Sequence, residues 1–103
     1  EKGAGRFPQV SGMTFVMDPT AAAGARVSEV MVAGAPIEAG KVYKVAVNDF
    51  ILGGGDGFDA LGGGKIITNA GGGNLVANDV MAFVEKTGTV NVAVEGRIKV
   101  LGQ

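Results

Sequence analysis

The residues of this sequence best placed to do chemistry lie in one run: Asn48-Asp49-Phe50-Ile51-Leu52-Gly53-Gly54-Gly55-Asp56-Gly57-Phe58. Three generic patterns overlap it. Gly55-Asp56-Gly57-Phe58-Asp59-Ala60 fits G-x-G-x-x-A, which holds a pyrophosphate on the N-terminus of a following helix. Gly62-Gly63-Gly64 comes next and forbids a sustained helix. Gly54 to Gly62 fits one copy of a calcium-binding nonapeptide, with Asp56 and Asp59 as acidic ligands. That architecture needs tandem copies, and Ile66 stands where the next glycine belongs. Gly64-Lys65 resembles the end of a phosphate loop, but Ile66 replaces the required Ser or Thr. The plainest alternative is a glycine-rich turn between two strands, with Asp56 making an Asx-turn.

What the chain lacks narrows the chemistry further. It has 103 residues with no His, no Cys and no Trp. Thiolate and imidazole metal sites, disulfides and Ser-His or Cys-His nucleophiles are therefore excluded within it. Nine basic against ten acidic groups leave a net charge of -1, which argues against a nucleic-acid footprint. Apolar residues at 47% and charged residues at 18% describe a globular chain of one domain at most. Nineteen glycines put much of the backbone in turns and tight loops. No apolar run approaches the roughly 20 residues of a membrane helix. The first residue is Glu1 rather than Met, so the chain reads as a processed product or a fragment, and a removed leader is compatible with it.

The elements that must position these residues are strands and one helix. Val10 to Met17 favour a strand, with Gly12 suggesting a bulge, and Asp18-Pro19 ends it. Val27, Val30 and Val32 make a strand of imperfect period, turned by Ala33-Gly34-Ala35-Pro36. Val42 to Val47 is the clearest strand signal, running straight into Asn48. Shorter strand signals cover 65–68, 90–94 and 97–101. Val76, Val80, Phe83 and Val84 share one face of a helix over about 75–87. Asn74 or Asn78 suits its start, and Lys86 with Gly88 its end. The expected fold is α+β, with mixed sheet layers and one main helix.

Several separate blocks agree with one family. Phe7-Pro8-Gln9-Val10-Ser11-Gly12, Arg26-Val27-Ser28, Tyr43-Lys44-Val45-Ala46, Asn48-Asp49-Phe50, Gly54-Gly55-Asp56-Gly57-Phe58 and Gly96-Arg97-Ile98 occur in order. Together they resemble the C-terminal domain of 5'-nucleotidases, a family that includes UDP-sugar hydrolases and 2',3'-cyclic-nucleotide phosphodiesterases. The resemblance covers almost the entire chain. It implies that Phe7 and Phe50 sandwich a nucleobase and that Asp56 accepts hydrogen bonds from the ribose hydroxyls. Asn48, Gly54 and Gly55 are implied as further substrate contacts, the glycines by letting backbone approach the sugar. Two aromatic stacks suit a base, and a carboxylate suits a vicinal diol.

The departures from the family are as informative. Its metallophosphoesterase domain, with His, Asp and Asn ligands for two divalent metals, has no counterpart here. Neither does the early part of the C-terminal domain, whose N-G-G-x-R block binds phosphate. Residues 1–103 are therefore expected to be the carboxyl-terminal part of a substrate-recognition domain, incomplete as a fold, with no catalytic residue and no metal site of its own. The implied parent is a bacterial, periplasmic or secreted nucleotide hydrolase. The expected partners are a nucleotide or nucleoside, and either the missing N-terminal portion or a domain-swapped copy, because open sheet edges invite pairing. Two alternatives stand beside this reading: a non-catalytic nucleoside-binding module, and a calcium-binding structural surface domain.

Overall fold

A computed structural model describes residues 4–103, which divide into two compact units. The first comprises residues up to Lys44 together with Ala93–Gln103, and the second comprises Val45–Val92.

The first unit is built on a mixed sheet. Its strands are β1 (Met13–Met17), β2 (Val27–Val32), β3 (Ala35–Pro36) and β4 (Ile98–Val100), in the order β3-β2-β1-β4. β1 pairs antiparallel with β2 and parallel with β4. Alternation along β1 buries Phe15 and Met17, the two buried apolar residues among those described. Ile98 and Val100 pair with them in register and are half-buried beside them.

The imperfect period of β2 has a structural cause. Val32 faces Met13 and Val27 faces Met17, yet Val27 and Val32 are an odd number of residues apart. In an unbroken strand they would lie on opposite faces. A register shift opposite Phe15 adds one residue to β2, and Glu29 takes a positive φ of 50° there. The bulge expected at Gly12 therefore sits on the partner strand. The turn from β2 to β3 uses two residues, Ala33 and Gly34, with φ of 50° and 81°. Two successive positive φ values match the right-handed twist of a hairpin. Pro36 follows on the edge strand, where its missing N–H costs no ladder bond.

The second unit is made of short local turns and one helix. α1 (Asp49–Leu52) is a single turn. Tight 3-10 turns follow at Gly55–Gly57, Asp59–Gly63 and Ala70–Gly72. α2 (Val76–Thr87) matches the expected helix. Gly88, at φ 80°, ends it by donating its N–H to the Val84 carbonyl at 2.8 Å. The expected caps differ: Leu75 occupies the N-cap position without a side-chain bond, and Asn74 Nδ2 donates to Asp79 Oδ1 at 3.2 Å. The apolar stripe Val76, Val80, Phe83 and Val84 is exposed along its length.

Three expected strands do not form. Residues 42–47, 65–68 and 90–94 pair with no strand among the described residues, and Val42 is 91% exposed and Val94 99%. β-branched residues favour a strand only when a neighbour supplies the ladder and a packed face. The segment with the strongest signal thus has no partner strand among the described residues.

Candidate functional site

The run 48–58 lies wholly in the second unit, and its local hydrogen bonds decide how its side chains are presented. Asn48 is extended at the N-cap of α1, and its Oδ1 accepts the Ile51 N–H at 2.8 Å. Asp49 Oδ1 accepts the N–H of Phe50 at 2.9 Å. The turn closes when Gly53 N–H donates to the Asp49 carbonyl at 3.0 Å. Phe50 is thereby held on a capped turn with 59% of its surface exposed. An aromatic ring with that much open surface serves stacking better than it serves a core.

Asp56 sits at the centre of the next turn with φ 55° and ψ 21°. Aspartate is among the few residues that visit this left-handed region, because its short side chain can hydrogen-bond locally. Here the carboxylate is exposed and makes no hydrogen bond or ion pair among the described residues. Its full acceptor capacity is available to a ligand.

The glycines of this run have specific neighbours. Gly54, at φ 89°, has Asp59 Oδ1 2.8 Å from where a Cβ would stand. At Gly55 the same position lies 2.5 Å from Phe50 Cε1, 2.6 Å from its Cζ and 2.6 Å from its carbonyl oxygen. The space left by the missing side chain at Gly55 is filled by Phe50 rather than held open.

Phe7 belongs to the first unit, where it is half-buried and its N–H donates to the Ala4 carbonyl at 3.0 Å. The structure thus brings Asn48, Phe50, Gly54, Gly55 and Asp56 into one unit and places Phe7 in the other. Asn48 as a cap escaped the sequence reading because a one-turn helix has no periodicity to detect. Its signal is the Asn three residues before the N–H it binds. Among the described residues, no group of three or more acidic side chains could hold a metal ion. Asp56 and Asp59 alone fall short of the roughly six to eight oxygens of a calcium site. Among the described residues, no helix is long and apolar enough to cross a membrane.

Comparison with known proteins agrees with the blocks and the fold. Residues 1–63 match the model of the 5'-nucleotidase C-terminal domain. The chain is 37% identical over 108 residues to Protein 5NUC of the insect Lutzomyia longipalpis, covering 97% of this chain and 18% of that protein. It superposes on the crystal structure of a 5'-nucleotidase precursor from Thermus thermophilus with a TM-score of 0.86 and 36% identity, covering 97% of this chain and 20% of that one. The chain spans about a fifth of the length of these relatives. With the mixed four-stranded sheet, the single main helix and the capped Phe50 turn, these matches place the chain in the family of 5'-nucleotidase C-terminal domains.

Proposed function

We propose that this chain recognises the nucleoside part of a nucleotide for a hydrolase of the 5'-nucleotidase type. The observation that carries the reading is the open ring of Phe50 on its capped turn, six residues before the exposed Asp56 carboxylate, which has no partner among the described residues. Phe50 stacks the base, and Asp56 accepts from the ribose hydroxyls. Asn48 acts by fixing the turn that carries Phe50. Hydrolysis of the phosphate ester belongs to a dimetal domain outside these residues. This chain's contribution is proximity: it holds the nucleoside so that the phosphate is presented to the other domain.

The unpaired strand-forming segment 42–47 and the exposed stripe of α2 support a further part of the proposal. The rest of a longer protein, or a second copy exchanging segments, supplies their partners. A periplasmic or extracellular site of action is the compartment proposed for such an enzyme.

Calorimetric titration with adenosine tests the binding role. Binding by the native protein that is lost in Phe50→Ala, and weakened in Asp56→Asn, is the expected outcome. Affinity for adenosine unchanged by both substitutions would overturn it. The 103-residue chain loaded with divalent metal is expected to release no phosphate from AMP. Hydrolysis by that chain would place catalysis within it.

A further inference from the structure

Gly54 and Gly55 both have an atom within 3.0 Å of the Cβ position, but Gly54 also has a φ of 89°, so only Gly55 in this run is closed by sterics alone. Its φ lies outside the left-handed region, so backbone conformation alone does not demand glycine there. What excludes a side chain is Phe50, whose Cε1–Cζ edge and carbonyl oxygen both lie closer than 3.0 Å to the Cβ position, a distance real Cβ atoms essentially never show. At Gly53 the nearest atoms are at 3.4 Å or more, and at Gly62 nothing lies within 4 Å.

We infer that Gly55 is a positioning residue for nucleobase recognition: its bare backbone is the seat against which the Phe50 ring rests, and this seat fixes the ring's orientation. The inference rests on the proposed stacking role of Phe50. It moves Gly55 from a direct sugar contact to a residue that acts through Phe50. A methyl at position 55 cannot coexist with the present ring position. Because Phe50 is exposed, its ring can swing outward instead of being crushed. The Phe50 carbonyl oxygen, 2.6 Å from the same position, does not move with the ring, so the turn backbone shifts as well and the stacking surface is displaced.

The test compares two substrates of the full-length protein that carries this chain. AMP presents a base, and ribose 5-phosphate presents the same sugar phosphate without one. Gly55→Ala is expected to raise the KM for AMP about tenfold, within the range measured for one lost base stack, with kcat unchanged. Its kcat/KM for ribose 5-phosphate falls by less than its kcat/KM for AMP, the part common to both substrates reporting the backbone shift. Phe50→Ala raises the KM for AMP and leaves ribose 5-phosphate unchanged, and the double variant loses less than the sum of the two single variants, because the stacking interaction can be removed only once. Gly62→Ala, with open space around it, leaves every value unchanged. An equal loss on both substrates in Gly55→Ala, or additive losses in the double variant, would overturn the role and assign Gly55 to the loop backbone. If Phe50→Ala raises the KM for AMP and Gly55→Ala does not, the positioning role alone falls. If Phe50→Ala has no effect on AMP, the stacking reading falls first.

Discussion

The two units of this chain are held together by different means. The sheet of the first unit joins residues far apart in sequence, Phe15 with Ile98 and Met17 with Val100, and buries Phe15 and Met17 between its strands. The second unit has no buried residue in any of its elements. Its order comes from caps and turn bonds between near neighbours, such as Ile51 to Asn48 and Gly72 to Asn69, both within three residues. Burial of apolar area is cooperative and dominates stability, whereas a single exposed hydrogen bond adds only about 1 kcal/mol. Among the described residues, apolar burial is confined to the first unit.

The difference can be broken or sharpened by substitution. Phe15→Ala is expected to cost about 3–5 kcal/mol in chemical denaturation, since it empties half of the small core. Phe83→Ala, on the exposed stripe of α2, is expected to cost less than about 1 kcal/mol in the same chain. Equal costs at the two positions would erase the distinction between the units. Asn48→Ala should cost about 1 kcal/mol, read as faster amide exchange at Ile51, because it removes the cap of α1. Unchanged exchange there would show that α1 does not depend on its cap.

A gain is expected in the sheet. Glu29 holds φ 50° at the bulge of β2, a conformation that favours glycine. Glu29→Gly should stabilise by up to about 1 kcal/mol, and a loss would mean that the Glu29 side chain contributes more than its strain costs. The smallest effect concerns pH. The Thr20 hydroxyl, at 2.6 Å, and then the Thr20 N–H, at 2.9 Å, hold the Asp18 carboxyl below the usual aspartate range. A depressed carboxyl pKa contributes stability that is present above the unfolded pKa and is lost as pH falls through the folded value. Thr20→Val removes the hydroxyl but keeps the N–H, so the Asp18 titration followed by NMR should move part of the way up. A titration unmoved by Thr20→Val would assign the shift to other groups.

Local pattern carried much of this structure. The period of Val76, Val80, Phe83 and Val84 located α2 to within about a residue at each end, and Gly88 marked its stop. The strands at 13–17 and 27–32 were legible from their β-branched and apolar runs. The segment 42–47 misled for a physical reason: propensity describes what a residue tolerates, while a strand exists only if another strand lies beside it. The site divides in the same way. Phe50 and Asp56 are candidates from their block alone, but the cap at Asn48 and the close approach of Phe50 to Gly55 could not be read there. Each depends on where atoms a few residues apart come to rest in space.

The sequence by itself determined that no imidazole or thiol chemistry is available, that α2 is amphipathic, and that the ordered blocks from Phe7 to Ile98 belong to one family. These follow from residue type and spacing, which need no third dimension. Only the tertiary structure decided that the bulge falls at Glu29, which puts Val27 and Val32 on the face of Met17 and Met13. Only it decided that Gly55 is occupied by the Phe50 ring. Register and close approach are set by which distant or folded-back groups meet, and that is a property of packing rather than of pattern.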